Sequence, residues 1–257
     1  MNNSENRFVA IIPARWASSR FPGKPLALLG GMTVIERVWR RVSAVVERVL
    51  VATDDERIAR VVNDLGGEAV MTRADHRSGT DRCREAYLNA ACTENVVINV
   101  QGDEPFISPE QIETLKRLFR DPSTDIGTLV KPFPRSGSVE ALANPNRPKV
   151  VIGVDGRALY FSRQVIPHLR GVDASLWHTR TQYYTHIGMY AYRADVLARV
   201  TSLEQSPLEL AESLEQLRWL ENGLVIRTGI TDIETIGIDT PDDLAAAEQY
   251  LLTHNIE

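Results

Sequence analysis

The sequence predicts an α/β fold in which a mostly parallel central sheet carries an inserted, β-rich flap. Up to about residue 120, short apolar runs alternate with segments whose apolar residues have helical spacing. This alternation is typical of parallel strands joined by crossover helices. Beyond that point the rhythm changes, and Asp155-Gly156 lies between two apolar runs, which is a hairpin signal. The hairpin region is therefore predicted to be the flap.

The first half of the chain accounts for most of the predicted parallel sheet. Apolar runs predict buried strands at 8–12, 48–52, 68–71 and 95–100. Helical spacing predicts helices at 34–46, 56–63, 80–91 and 109–119. Thr33 and Glu36 predict a capping box at the start of the first helix. Ser108 is the predicted N-cap of the last, with Pro109 at its first position.

The second half mixes strands with short helices. Strands are predicted at 125–131, 149–154, 158–161, 186–192 and 223–229. A short helix is expected after the fourth of these strands, a longer one at 207–221, and a final one from about 241. The stretch 168–185 has no clear period and is predicted to be a loop.

Composition bounds the class of protein. The chain has 257 residues, and we expect a disordered tail at 1–6 followed by one domain at 7–257, with a flap or dimerisation subregion at about 130–190. A net charge of −5 argues against nucleic-acid binding. No apolar run is long enough for a membrane helix, and the polar start lacks a secretory signal. Two cysteines without a C-x-x-C motif predict reduced thiols in a cytoplasmic protein.

The connection after the first strand carries three cations, Arg15, Arg20 and Lys24, around a Pro-Gly-Lys-Pro segment. Ligands of open α/β sheets bind beyond the carboxyl ends of the strands, where this loop begins. The loop is neither a dinucleotide fingerprint nor a Walker A motif. Guanidinium forks and a lysine point charge suit a polyphosphate. A merely solvated basic loop is the alternative.

Two carboxylates stand at points where they could hold a metal ion. Asp103 follows a buried strand in a Gln-Gly-Asp-Glu-Pro segment, and Asp239 directly precedes the last helix. A carboxylate at the end of a strand is well placed to hold Mg²⁺ near phosphates. Each is otherwise an ordinary turn residue, and Asp239 gains weight only if the fold places it opposite Asp103.

Three further sets of residues are candidates for ligand binding. Ser78, Gly79 and Thr80 enter a helix and offer N–H groups and hydroxyls to a base edge or an anion, or simply cap the helix. His186 and Tyr190 lie four apart on a predicted strand, hence on one face. The third set shares one face of the helix predicted at 207–221, and consists of Glu212, Glu215, Gln216 and Trp219. Such a face is either solvated or able to bind sugar hydroxyls.

The chain resembles the 3-deoxy-manno-octulosonate cytidylyltransferases, also called CMP-Kdo synthetases, over roughly residues 7–251. The segment 12–26 looks like the signature of that family and is shared with CMP-sialic acid synthetases. Leu-Tyr-Phe-Ser-Arg at 159–163 and Leu-Glu-Gln-Leu-Arg at 214–218 favour the Kdo enzymes. The other segments that carry the resemblance are 51–55, 78–82, 99–105, 186–190 and 239–243.

The resemblance implies a Rossmann-like nucleotide-diphospho-sugar transferase fold and transfer of CMP from CTP to 3-deoxy-D-manno-octulosonate (Kdo). It also implies Mg²⁺, a homodimer, and a place in lipopolysaccharide synthesis in the cytoplasm. Arg15, Lys24, Asp103 and Asp239 would be catalytic, with the two aspartates holding Mg²⁺. The nucleotide would be bound by Ala14, Arg15, Arg20, Lys24, Ser78, Gly79, Thr80 and Gln101. The sugar would be bound by Gln101, Arg163, His186, Tyr190, Glu215 and Gln216.

Three other functions remain open at this stage. One is activation of a related acidic sugar, such as a sialic acid or an amino-substituted Kdo. Another is transfer of a nucleotide to a sugar 1-phosphate. The third is nucleotide binding without catalysis, although a pure binder needs no pair of spaced carboxylates.

Overall fold

The computed structural model describes residues 6–18, 20–233 and 236–254. The chain forms two compact units, of which the first takes in residues up to 113 and from 235 onwards, and the second residues 114–234. The tail predicted at 1–6 lies outside the described residues except for Asn6. One domain over 7–257, with a flap or dimerisation subregion at about 130–190, stays a prediction.

The strands and helices follow one another along the whole chain. The strands are β1 (Phe8–Ala14), β2 (Leu28–Leu29), β3 (Met32–Thr33), β4 (Arg48–Thr53), β5 (Glu68–Met71), β6 (Val96–Asn99), β7 (Ile126–Pro132), β8 (Lys149–Ile152), β9 (Ala158–Ser162), β10 (Tyr184–Arg193) and β11 (Ile226–Ile230). The helices are α1 (Val34–Ser43), α2 (Glu56–Asp64), α3 (Gly79–Asn89), α4 (Pro109–Leu118), α5 (Val139–Ala143), α6 (Trp177–Arg180), α7 (Ala194–Val200), α8 (Pro207–Glu212), α9 (Glu215–Glu221) and α10 (Pro241–His254). Among the described residues, no helix is both long and apolar enough to cross a bilayer.

The sheet of the first unit contains parallel strands in the order β6-β1-β4-β5. Val9 of β1 pairs with Arg48 of β4 and with Val97 of β6. The side chains at 9–12 are wholly buried, which explains the unbroken apolar run of the first strand. Because these strands run in one direction, the loops after β1, β4 and β6 leave from the same edge of the sheet.

Helix α1 shows how local sequence sets a helix start. The Thr33 hydroxyl accepts a hydrogen bond from the Glu36 N–H at 3.2 Å, as expected of an N-cap. The Glu36 carboxylate does not complete the predicted capping box. It accepts instead from Arg40, one turn further on, with Nη2 at 2.8 Å.

The second unit has a mixed sheet in the order β11-β7-β10-β8-β9. β11 runs parallel to β7, and the other pairs are antiparallel. β8 and β9 form the predicted hairpin, with Gly156 at the turn in the left-handed region at φ 80°. A mostly parallel α/β sheet in the first unit and a β-rich insertion in the second confirm the predicted fold class.

The loop predicted at 168–185 is wrong in part. It contains a 3₁₀ helix at Ala174–Leu176, the short helix α6, and the first residues of β10. The Asp173 carboxylate caps the turn by accepting from the Ser175 N–H at 2.9 Å, and Trp177 Nε1 donates to the Val172 carbonyl at 2.9 Å. These elements are too short to show a period in the sequence.

The helix predicted at 207–221 is wrong in its continuity, because it breaks at Ser213, whose φ is 51°. The Ser162 hydroxyl donates to the Glu212 carboxylate at 2.6 Å, and the Arg163 guanidinium donates to the carbonyls of Glu212 and Ser213 at 2.6 and 3.1 Å. The carbonyls that a continuous helix would use are therefore bound by Arg163, the residue that directly follows β9. Glu212 consequently does not share a helical face with Glu215.

Candidate active site

The loop at 15–23 leaves the carboxyl end of β1 and returns in a 3₁₀ helix at Lys24–Leu26. Its two ends meet, because the Gly23 N–H donates to the Trp16 carbonyl at 3.0 Å. Gly23 has φ 73°, a conformation that glycine adopts without strain. Arg15 precedes this contact and Arg20 lies between the two residues that it joins, and both side chains are exposed. Ser19 lies outside the described residues.

Lys24 connects the two candidate metal ligands. Its Nζ lies 2.6 Å from Oδ2 of Asp103 and 3.3 Å from Oδ1 of Asp239. Arg20 adds a second cation to Asp239, with Nη2 3.0 Å from Oδ2. The Lys24 side chain is 12% exposed, so solvent screens this contact less than a surface ion pair. Asp103 and Asp239, which are far apart in sequence, therefore face one ammonium group.

The backbone holds the same carboxylates in place. The Ile238 N–H donates to the Asp103 carbonyl at 2.9 Å, which ties the segment before α10 to the loop after β6. At the start of α10, the Asp243 carboxylate accepts from the N–H groups of Asp239 and Thr240 at 3.0 and 2.8 Å. Hydrogen bonds from Thr240, followed by the one from Asp239, lower the pKa of Asp243. Asp243, the third residue of α10, thus forms a capping box with Thr240, which precedes the helix, and also holds the backbone of Asp239.

These side chains border a pocket of about 260 Å³ in the first unit. Of the residues predicted to bind the nucleotide or to act in catalysis, those that line it are Ala14, Arg15, Arg20, Lys24, Ser78, Gly79, Gln101, Asp103 and Asp239. Thr80 does not line it and is buried in α3. Ser78 is the N-cap of α3, with its hydroxyl accepting from the Asp81 N–H at 3.1 Å. The first N–H groups of α3 thus begin at the pocket wall.

Sequence reasoning missed several other residues of the pocket wall, among them His76, Arg77 and Arg82. His76 Nε2 is hydrogen-bonded to the Glu85 carboxylate of α3, which also accepts from the Arg73 N–H at 3.2 Å. Arg82 pairs with Asp54 at 3.2 Å. All three residues lie in the polar segment 73–82, which was the available signal in the sequence. That segment did not reveal the contacts of His76 and Arg82, because their partners Glu85 and Asp54 lie outside it.

Glu104, next to Asp103, was also missed. Burial, and then the neighbouring charge of Asp103, raise the pKa of Glu104 to about 8. Its Oε2 is buried and has no hydrogen-bond partner in the part of the chain that the structure describes. A neutral carboxylic acid is the form that such a setting favours at pH 7.

The second unit contains an aromatic cluster, defined here as Phe161, His186, Tyr190, Tyr192 and Trp219. His186 Nε2 lies 2.9 Å from the Thr128 hydroxyl, and burial lowers the pKa of His186 to about 4. The His186 ring lies 5.2 Å from the Phe161 ring and 5.3 Å from the Tyr190 ring, between centroids. Burial, and then the charge of Glu215, raise the pKa of Tyr190 well above its usual value. Both side chains are therefore neutral at pH 7.

Several polar atoms in and beside this cluster are buried without a partner among the described residues. They are the Tyr190 hydroxyl, Gln216 Nε2 and Trp219 Nε1. Buried groups of this kind are normally hydrogen-bonded, so each calls for an explanation. A ligand that offers hydroxyl groups is one that would satisfy donors of this kind.

The remaining residues predicted to bind the sugar have other surroundings. Arg163 donates to the carbonyls of Glu212, Ser213 and Pro145, so its guanidinium holds the junction between α8 and α9. Glu215 accepts from Arg218 at 2.8 Å. Gln101 lines the pocket of the first unit. Contact of Arg163, Glu215 or Gln101 with a sugar stays a prediction.

The chain is similar to proteins of known family. The cytidylyltransferase family model matches residues 9–233. A 3-deoxy-manno-octulosonate cytidylyltransferase of Phocaeicola vulgatus is 59% identical over 95% of this chain and 97% of that protein. One of Bacteroides thetaiotaomicron is 56% identical over 95% of this chain and 98% of that protein. A solved CMP:2-keto-3-deoxy-manno-octonic acid synthetase complexed with CTP has a TM-score of 0.88 and 41% identity, over 96% of this chain and 99% of that one.

Gly23 supports the loop through its conformation and through its lack of a side chain. A Cβ at Gly23 would lie 2.7 Å from Cη2 of Trp16, whereas one at Gly31, with φ 81°, would meet nothing within 4 Å. We expect Gly31→Ala to lower the free energy of unfolding by about 1 kcal/mol, from backbone strain alone. Gly23→Ala should lower it by roughly 2–4 kcal/mol, because a clash is added to the strain. Urea denaturation measures both, and equal losses would show that the Trp16 ring yields freely.

The pKa of His186 predicts a pH dependence of stability. Its folded value of about 4 lies below the usual 6.5, so the unfolded chain takes up the proton first. The contribution of His186 to the free energy of unfolding is therefore fully present above pH 6.5 and is lost as pH falls towards 4. As pH falls from 7 to 4, the free energy of unfolding of His186→Gln should rise by up to about 3 kcal/mol relative to that of the wild type. Parallel stability curves for the two proteins would contradict a buried neutral His186.

Proposed function

The chain belongs to the 3-deoxy-manno-octulosonate cytidylyltransferase family, as its motifs predict, and we propose that it transfers CMP from CTP to the anomeric hydroxyl of Kdo. The products are CMP-Kdo and diphosphate. The relatives carry the name of this reaction, and the solved neighbour holds CTP. The observation in the structure that carries the proposal is the approach of Lys24, Asp103 and Asp239 at the rim of one pocket.

The pocket of the first unit has the chemistry of a triphosphate site. Arg15 and Arg20 offer planar forks of N–H donors, and Lys24 offers a compact positive charge. The N-terminal N–H groups of α3, behind Ser78 and Gly79, add donors aligned with the helix dipole. We assign the CTP phosphates to the three cations and the cytidine to the surroundings of Ala14, Ser78 and Gly79. Thr80 contributes to the nucleotide site only indirectly, from within α3, because its side chain is buried.

The donor set fits a magnesium ion bound together with the nucleotide. Among the described residues, no cluster of three or more His, Cys, Asp or Glu side chains could hold a metal by itself. Mg²⁺ is usually bound by one or two carboxylates together with substrate phosphates, and Asp103 with Asp239 supplies two. When bound there, the ion would polarise the α-phosphate and lower the pKa of the attacking hydroxyl. In the described structure Lys24 neutralises the same carboxylates.

The reaction needs little covalent chemistry from the protein. The anomeric oxygen of Kdo forms a bond to the α-phosphorus of CTP, and the bond from that phosphorus to the bridging oxygen breaks. Diphosphate leaves with the electron pair, and the hydroxyl proton passes to solvent. Arg15 and Lys24 stabilise charge on the leaving diphosphate and on the α-phosphate, so catalysis is mainly positioning and electrostatic stabilisation.

The sugar is assigned to the second unit. His186, Tyr190 and Gln216 lie in or beside the aromatic cluster, and the latter two carry buried polar atoms without partners. A site built from such atoms rejects an analogue that lacks the matching hydroxyl, because its own groups then stay unpaired. Arg163 supports this site by holding the turn that leads into α9.

The setting of the reaction is the remaining part of the proposal. Kdo activation belongs to lipopolysaccharide synthesis, which we place in the cytoplasm. Cys83 and Cys92 form no disulfide with each other, which is compatible with a reducing compartment. A homodimer is also proposed. The exposed apolar side chains Val154 and Leu159 near the β8–β9 hairpin are candidates for its interface.

Diphosphate release measures the proposed reaction directly. Purified protein is mixed with CTP, Mg²⁺ and Kdo, with sialic acid, a sugar 1-phosphate and no sugar as parallel arms. We expect release with Kdo alone. Release with sialic acid instead of Kdo would show that the substrate is another acidic sugar. Release with the sugar 1-phosphate would show that the acceptor is a phosphorylated sugar. Binding of CTP without release in any arm would support a non-catalytic nucleotide-binding protein.

The ion pairs of Lys24 predict an unusual metal response. In Lys24→Met, Asp103 and Asp239 lose the ammonium that lies between them, so they should attract a divalent cation without any nucleotide. We expect Mn²⁺, titrated by electron paramagnetic resonance in the absence of CTP, to bind this variant about tenfold more tightly than the wild type. Arg15→Met is the matched control, since Arg15 forms no ion pair with either carboxylate. Unchanged Mn²⁺ affinity in Lys24→Met would contradict metal binding by this carboxylate pair.

A further inference from the structure

The Trp16 ring lies between a guanidinium group and the backbone of the loop at 15–23. The central carbon of the Arg57 guanidinium lies 3.3 Å from the centroid of the Trp16 ring, well within the range of a cation–π contact. On the loop itself, Gly23 lies so close to the ring that an added Cβ would be 2.7 Å from Cη2. The ring therefore joins α2, which carries Arg57, to the far end of the loop.

Arg57 is held in this position by α2. Asp55 is the N-cap of that helix and accepts from the Arg57 N–H at 2.9 Å. The same carboxylate accepts from the guanidinium, with Nε at 2.9 Å and Nη2 at 2.7 Å. Such a two-point contact fixes the plane of the guanidinium as well as its place. Arg57 is thus presented to Trp16 by a rigid helix start.

The backbone of Trp16 has a second anchor at the same junction. Its N–H donates to Oδ1 of Asp54 at 3.3 Å, and Asp54 also pairs with the nearly buried Arg82 at 3.2 Å. The loop is therefore attached at Trp16 by its backbone and by its ring. Both attachments lead to the end of β4 and the start of α2, which belong to the rigid sheet edge.

The position of Trp16 in the chain gives these contacts a consequence. Trp16 follows Arg15 directly, and Gly23 precedes Lys24 directly. The ring contact and the hydrogen bond from Gly23 to the Trp16 carbonyl therefore fix the two points next to these cations. Arg57 does not line the pocket, and its charge is already paired with Asp55. Its effect on a ligand must pass through Trp16.

We infer that Trp16 and Arg57 are positioning residues that hold the loop at 15–23 in the conformation that binds the CTP triphosphate. The inference rests on the proposed function for the identity of the ligand. With the ring or the guanidinium removed, Arg15 and Lys24 lose their fixed spacing, and the nucleotide must order the loop when it binds. The free energy needed to order the loop lowers the affinity for CTP, whereas the sugar site of the second unit is unchanged.

The test is CTP binding, measured by calorimetry without sugar. Trp16→Ala and Arg57→Gln should each raise the Kd for CTP about fivefold, in keeping with the loss of one exposed cation–π contact. Trp16→Phe keeps a ring over Gly23 and should stay within about twofold of the wild type. The matched control is Arg60→Gln, which removes an exposed arginine from the same helix and should bind CTP normally.

Steady-state kinetics separate positioning from a general loss of structure. The positioning role predicts a raised KM for CTP and an unchanged KM for Kdo in Arg57→Gln. A merely structural role would lower the fraction of active protein, and hence kcat, with both KM values unchanged. Normal CTP binding by Trp16→Ala and Arg57→Gln, or an equal loss in Arg60→Gln, would overturn the inference while leaving the proposed function in place. A wild-type protein that does not bind CTP would overturn both.

Discussion

The ammonium group of Lys24, placed between the carboxylates of Asp103 and Asp239, is the interaction on which the rest of the site depends. It brings together three segments that are distant in sequence: the loop after β1, the loop after β6 and the start of α10. Two neighbouring carboxylates repel each other, and a partly desolvated cation offsets that repulsion far better than water does.

The sheet makes this meeting of segments possible. β1 and β6 are adjacent and parallel, so the loops that carry Lys24 and Asp103 leave from one edge. Gly102 allows them to approach, because a Cβ there would lie 2.6 Å from the Pro13 carbonyl oxygen. The hydrogen bond from Ile238 to the Asp103 carbonyl then brings Asp239 to the same edge. A local steric requirement at one glycine thus supports an electrostatic site built from three segments.

The sequence predicted the elements whose cause is local and missed those whose cause is distant. The apolar runs of β1, β4 and β6 reflect burial of whole strands, so they could be found without a structure. The break at Ser213 could not, because it is stabilised by Ser162 and Arg163, some fifty residues earlier. His76 was missed for a related reason, since its place in the pocket wall depends on Glu85 of α3. Asp103, Asp239 and Lys24 were found through motifs, but their contact follows only from the fold.

The two proposed binding regions differ in the kind of interaction that they offer to a ligand. In the first unit, exposed Arg15 and Arg20 line a pocket of a chain whose net charge is −5, so the local positive charge that we propose for the phosphates differs in sign from the total. Charge of this kind attracts any polyphosphate and discriminates little among them. In the second unit Tyr190 and Gln216 are buried, and the low pKa of the half-buried His186, about 4, keeps that ring uncharged. Neutral buried donors favour a ligand only when hydroxyl and donor positions match. If the proposed assignments hold, affinity for the nucleotide derives mainly from charge, whereas the choice of sugar depends on hydrogen-bond geometry in the aromatic cluster.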